Sequence, residues 1–243
     1  PQAIEATLKG RIHNHQIIFE ELKDLDFHSY QQVYFVACGS AYHACLYGSH
    51  ILQKLINIPV QTFVASEFRY NDPLLSEKTL TIFVSQSGET ADTLAALRLA
   101  RAKKATTIAI ANVIGSTLAR EADYTLYTYA GVEQAVASSK AYITQLVILL
   151  LLAYFISQQL FDKTDTLLLQ QIQSLSHVIE NILKDCHIYE KFADKIKDKK
   201  DIYFIGRSLD YVSALEGSLK LKEVSYIHSD AYMAGELKHG PFA

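Results

Sequence analysis

Apolar residues fall in two alternating rhythms along the chain. Short continuous runs (VYFVAC at 33–38, VQTFVA at 60–65, LTIFVS at 80–85, TTIAIAN at 106–112 and YTLYT at 124–128) are separated by stretches with helical spacing. Runs of this length bounded by small polar residues read as strands buried on both faces, and their alternation with helices calls for a parallel sheet covered on both sides. Helices are expected from Gly39-Ser40 to about residue 57, from 89 to 103 and from 138 to 160. Five such strands between residues 33 and 128 predict an α/β fold, a three-layer α/β/α sandwich around a doubly wound five-stranded parallel sheet. Ahead of it, Ile4, Leu8, Ile12, Ile17, Ile18 and Leu22 are spaced as one helix over residues 3–22. The reading thus divides the chain into a first unit at 1–160, including that N-terminal helix, and a second at 161–243.

The second unit opens with a turn at 162–165, where Thr164 or Asp165 can cap a helix. Residues 166–199 read as helical with a break near 185–187, and IYFIGRS at 202–208 repeats the pattern of strand followed by small residues. That repetition is specific. YFVACGSAYHACLYG at 34–48 aligns without gaps to YFIGRSLDYVSALEG at 203–217, with identity at Tyr34/Tyr203, Phe35/Phe204, Tyr42/Tyr211, Leu46/Leu215 and Gly48/Gly217. The same offset pairs Ala65 with Ala234 and Glu67 with Glu236. Two blocks sharing one offset suggest a duplicated unit whose second copy is incomplete here. A two-stranded remnant is a poor sheet by itself, so it is expected to lean on the first unit or on a partner chain.

Apolar residues make up 49% of the 243 and charged residues 20%, enough for a real core. Lys+Arg 23 against Asp+Glu 26 leaves no basic face for nucleic acid and no polybasic membrane patch. Cys38, Cys45 and Cys186 are odd in number and include no C-x-x-C pair, which fits a reducing cytoplasm and argues against a disulfide scaffold or a zinc site. The first residues lack a signal-peptide pattern. From 146 to 156 every residue is apolar or aromatic, but this run is shorter than the ~20 residues a bilayer span needs and is flanked by Thr144, Gln145, Ser157 and Gln158. It reads as a buried helix of a soluble protein.

The strongest chemical signal is Ser85-Gln86-Ser87-Gly88-Glu89-Thr90, where a strand turns into a helix. Free amides at a helix start attract a phosphate dianion, hydroxyls add donors, and glycine permits close approach. The plainer alternative is an ordinary capped turn, which any strand-to-helix loop can have. The turn is neither a Walker loop nor a dinucleotide G-x-G-x-x-G, and no metal or nucleotide cofactor is implied. Ser40, at the end of the neighbouring strand, favours the anion reading slightly. Lys220 and Glu223 lie three apart on a helix at 210–226, with Glu216 one turn earlier, so a carboxylate base beside a cation is available; a solvated ion pair is the plain alternative. His239 sits in a loop beside Gly240-Pro241. Cys38 reads as a structural thiol before a nucleophile, and Lys140 as a ligand donor or a surface charge.

Taken together, SQSGETADT, the strand-end CGS, ASEFRY, VASSKAYITQL at 136–146 and the long block ending ELKHGP at 214–241 resemble the isomerase region of the glutamine–fructose-6-phosphate aminotransferases, a tandem of two SIS (sugar isomerase) domains. SxSGET marks SIS domains broadly, whereas the ELKHGP block is specific to the aminotransferases. The resemblance implies a chain holding a first SIS domain and the start of a second, in an enzyme that makes glucosamine 6-phosphate from fructose 6-phosphate and glutamine-derived ammonia. It implies that Ser85, Gln86, Ser87 and Thr90 hold the sugar phosphate, with Cys38, Gly39, Ser40, Val136, Ala137 and Ser138 lining the sugar site. Glu223 would be the base between C1 and C2, Lys220 its helper, and His239, supplied across a homodimer interface, would open the ring. The family's glutaminase domain and its C-terminal imine-forming lysine have no counterpart in these residues, so this polypeptide alone is expected to be inactive. Its usual Thr-Ser after CG is Ser40-Ala41 here, one hydroxyl fewer. A non-catalytic SIS module that senses a sugar phosphate, or a stand-alone phosphosugar isomerase, are the competing expectations.

Overall fold

The computed structural model of the chain describes residues 1–240; Pro241, which ends the ELKHGP block, lies outside the described residues. Helix α1 (Gln2–Leu8) is followed by Gly10 at φ +76°. The helix expected to continue to residue 22 gives way to a hairpin of β1 (Ile12–His13) and β2 (Gln16–Ile17), then a 3-10 turn at Glu20–Leu22. Asn14 and His15 make the hairpin loop at φ 46° and 60°, the left-handed pair that a two-residue loop demands. Ile4, Ile17 and Leu22 are still buried. The turn residues between them override their helical spacing.

The main sheet follows in strict alternation: β3 (Gln32–Ala37), α2 (Gly39–Leu55), β4 (Val60–Val64), α3 (Ala65–Phe68), β5 (Thr79–Ser85), α4 (Ala91–Ala102), β6 (Thr106–Ala111), α5 (Thr117–Glu121) and β7 (Tyr124–Tyr127). The strands lie in the order β4-β3-β5-β6-β7 with every neighbouring pair parallel, the doubly wound sheet expected from the apolar runs. The chain moves outward from β3 to β4 and then crosses back to β5. The winding therefore reverses between β3 and β5, and the loops leaving their carboxyl ends diverge to open a crevice. Central position explains composition: every residue of β5 is buried. Successive side chains alternate between Phe35, Leu80, Ile82 and Ile108 on one face and Tyr34, Val36, Phe83 and Ala109 on the other.

The long apolar segment forms α6 (Lys140–Phe161), which covers the first face together with α2. By length and composition alone it could cross a membrane, yet 67% of its most apolar stretch is buried in protein, as in a core helix. It outruns the 146–156 run because its polar flanks Thr144, Gln145 and Ser157 are buried too. Helix α7 (Thr166–Leu183) is capped by Asp165, whose carboxylate accepts the Leu168 N–H at 2.9 Å, and α8 (His187–Ile196) follows after a short break.

The chain then forms β8 (Asp201–Gly206), α9 (Leu209–Ser225) and β9 (His228–Met233), with the two strands parallel. These elements fall on β3, α2 and β4 at the offset seen in the sequence, so the repeat is a repeated β–α–β unit. Helix α9 packs against its counterpart α2. Replacing fully buried Leu152 of α6 by Ala should cost about 2–5 kcal/mol of stability in urea titrations. Leu167→Ala, at a position 65% exposed, should change it by less than about 0.5 kcal/mol; equal effects would contradict the placement of the core.

Candidate functional site

Two loops meet where the winding reverses. Cys38 follows the end of β3 and is the N-cap of α2, while Ser85 closes β5 and begins the 85–90 turn. The turn is knitted by its own hydroxyls: the Gly88 N–H donates to Ser85 Oγ at 3.0 Å, Ser85 Oγ and Thr90 Oγ1 are 3.1 Å apart, and the Glu89 N–H donates to Ser87 Oγ at 3.2 Å. It is pinned from outside by the Asn112 N–H on the Gln86 carbonyl at 3.1 Å and the Leu118 N–H on the Gly88 carbonyl at 3.0 Å. The carboxylate of Glu89 takes the Thr117 N–H at 2.7 Å, and this backbone hydrogen bond leads the effects that hold its pKa below the ordinary carboxylate value. Gly88 sits at φ +67°, and a Cβ there would fall 2.1 Å from Ser116 Oγ. No other residue fits that position.

A cavity of about 270 Å³ opens over these loops. Cys38, Ser40, Ser85, Gln86, Ser87, Thr90, Val136, Ser138, Lys220 and Glu223 all line it. The 136–138 residues arrive from the segment ahead of α6, whose first turn is fixed when Glu133 accepts the Ala141 N–H at 3.1 Å. Lys220 and Glu223 come from α9, so the far wall belongs to the second β–α–β unit. Three expected residues stand apart. Gly39 and Ala137 are next to lining residues without lining the cavity, and His239, in the exposed 3-10 turn Leu237–His239, is away from it within this chain. Lys140 does not line it either. A larger groove of about 610 Å³, bordered by His50, Arg207 and Ser208, holds none of the expected site residues.

The charged wall is a ladder on one face of α9. Lys220 Nζ donates to Glu223 Oε2 at 2.5 Å and lies 3.6 Å from Glu216 Oε1. Glu216 is 6% exposed, and its Oε2 is 2.7 Å from Nδ1 of His43 on α2. Burial by itself works against the charged carboxylate. Hydrogen bonding from His43 and Ser40, with the Lys220 charge, outweighs that cost, so the Glu216 pKa falls below the usual range. Tyr142 of α6 faces the same region, and burial, reinforced by the Glu216 charge, pushes its phenol up.

Sequence reasoning noted Glu216 only as a neighbour of Lys220 and passed over His43, Thr93 and Gln145. Thr93 lines the cavity, is 1% exposed, and its Oγ1 has no hydrogen-bond partner among the described residues. The SQSGETADT motif reaches Thr93, and that was the available signal. His43 had none, because its partner is 173 residues away.

Residues 26–154 and 195–243 match the SIS domain family. The glutamine–fructose-6-phosphate aminotransferase [isomerizing] of Caldanaerobacter subterraneus subsp. tengcongensis is 47% identical over 249 residues, and that of Clostridium tetani 49% over 254; each match takes in 100% of this chain and 41% of the relative. The chain thus spans well under half the length of these curated relatives. Among solved structures, the C-terminal domain of glucosamine-fructose-6-phosphate aminotransferase from Francisella tularensis aligns at a TM-score of 0.93 and 36% identity, over 99% of this chain and 70% of that one. With a doubly wound sheet, a site at its reversal point and this extent of likeness, the chain belongs to the SIS domain family and, within it, to the C-terminal part of the glutamine–fructose-6-phosphate aminotransferases.

Proposed function

We propose that the cavity binds a sugar phosphate and that the chain is the isomerase part of an enzyme converting fructose 6-phosphate and glutamine-derived ammonia to glucosamine 6-phosphate. The observation that carries this reading is one cavity lined both by the hydroxyl-rich turn and by the Lys220–Glu223 pair. The turn suits a phosphate monoester because its amides and hydroxyls are already ordered. Binding energy from the phosphate, remote from the reacting carbons, then orients the sugar. Interconverting a ketose and an aldose derivative requires moving a weakly acidic proton between C1 and C2. One carboxylate within reach of both carbons can shuttle it, and Glu223 takes that role, with Lys220 holding it through a 2.5 Å hydrogen bond.

Gln86 joins Ser85, Ser87 and Thr90 around the phosphate, Ser40 is a further polar contact for the sugar, and Cys38, Val136 and Ser138 shape the walls, with Gly39 and Ala137 acting through the backbone beside them. His239 acts from a second copy of the chain in a homodimer, opening the ring before the proton moves. Turnover further needs a glutaminase unit and an imine-forming lysine. The three free thiols suit a reducing, cytoplasmic setting.

Calorimetry with fructose 6-phosphate and turnover in the complete enzyme separate the roles. Ser87→Ala should weaken binding by about 1–2 kcal/mol by removing a hydrogen bond to a charged group. Gly88→Ala should weaken it at least as much, because the added Cβ displaces Ser116 or the turn. Glu223→Gln should leave binding within about threefold while turnover falls about 1,000-fold. If Glu223→Gln weakens binding as much as Ser87→Ala does, the division of roles is wrong. Binding without turnover in the complete, ammonia-supplied assembly would turn the reading towards a sugar-phosphate sensor.

A further inference from the structure

The ladder on α9 does not stop at the cavity. Behind Lys220 stands Glu216, and behind Glu216 stands His43, which belongs to the other β–α–β unit. The side chains of His43 and Glu216 are 14% and 8% exposed. A carboxylate this deep must be paired or neutralised. Its Oε2 takes the His43 contact, while its Oε1 has no hydrogen-bond partner among the described residues and lies 3.6 Å from Lys220 Nζ, close enough for an ion pair but too far for a hydrogen bond. Glu216 is therefore held from behind, and Lys220 is shared between a fixed carboxylate and Glu223.

We propose that His43 is a positioning residue for the Lys220–Glu223 pair: by fixing Glu216 across the α2–α9 junction, it sets where the ammonium sits and how much of its charge falls on Glu223. This rests on the reading of Glu223 as the base. The argument follows from what happens without the imidazole. Ser40 alone then remains as a hydroxyl donor to a carboxylate this deep, which must swing further towards Lys220 or take up a proton. If it swings, Lys220 follows and Glu223 loses the partner that orients it. If it is protonated, the full ammonium charge falls on Glu223 and weakens it as a base. Both outcomes impair proton transfer. Neither reaches the 85–90 turn, so the grip on phosphate should be unaffected.

The test uses the complete enzyme and three substitutions at one position. The amide nitrogen of Asn stands where Nδ1 stands in His, whereas that of Gln reaches to the Nε2 position. His43→Gln and His43→Leu should lower kcat about tenfold or more with KM for fructose 6-phosphate changed by less than about threefold, the pattern of a misplaced catalytic group. His43→Asn should recover most of that loss. If His43→Leu fails to fold, the comparison of His43→Asn with His43→Gln decides the matter alone. A purely structural role predicts that the Asn and Gln variants fall together, or that kcat and KM move together, and either result would overturn the proposal. Glu223→Gln, measured alongside, separates the two readings. If it abolishes turnover while His43→Gln and His43→Leu keep the parent kcat, only the positioning role falls; if it leaves turnover intact, the reading of the base fails first.

Discussion

The contact between α2 and α9 is the constraint on which the site depends. A parallel sheet opens a crevice at its reversal point without help, and here that crevice supplies one part of the lining, with Cys38, Ser40 and Ala41 from one strand end and Ser85, Gln86, Ser87 and Thr90 from the other. The opposing wall, with its lysine and carboxylates, comes from a second β–α–β unit whose sheet has just two strands. That unit is held in register by α9 resting on the helix it repeats, and the buried His43–Glu216 pair lies in the seam. Removing the imidazole leaves a buried carboxylate oxygen short of a hydrogen bond, at a cost of about 1–3 kcal/mol. The seam therefore tolerates few ways of closing, and each side chain of the ladder inherits its place from it.

The two parts of the lining are built on different principles. In the 85–90 turn the Ser85 and Ser87 oxygens accept the turn's own amides, which orients the hydroxyls while leaving O–H hydrogens to donate, and amides of the neighbouring 112–118 segment fix the turn from outside, so little reorganisation is needed when an anion arrives. The α9 wall is a row of charges of alternating sign with an imidazole behind it, in which moving one member moves the next. Such a division suits a reaction in which one end of the substrate must be gripped and the other must exchange a proton.

Much of this was legible in the sequence. Five β-rich runs fixed the sheet, because a central parallel strand such as β5 must be apolar on both faces. The offset between YFVACGS and YFIGRSL located the second unit, and Asp165 was readable as a cap. Residues 9–22 were not: their apolar spacing matched a helix, while Gly10, Asn14 and His15 take left-handed conformations that no helix contains. For the site, the residues that form a local turn could be read off one segment, whereas His43 and Glu216 become meaningful only once α2 and α9 are packed. Thr93 hides for a similar reason, since a buried threonine in a helix looks like core until the cavity beside it is known. His239 shows the limit in the other direction, because within one chain it stays exposed and outside the cavity.

The most direct measurement is a crystal structure of the protein with fructose 6-phosphate bound. The account predicts the phosphate within hydrogen-bond distance of Ser85, Ser87 and Thr90, with C1 and C2 turned towards the Glu223 carboxylate. A phosphate seated instead in the groove beside His50 and Arg207, or a sugar whose reacting carbons face away from α9, would contradict it.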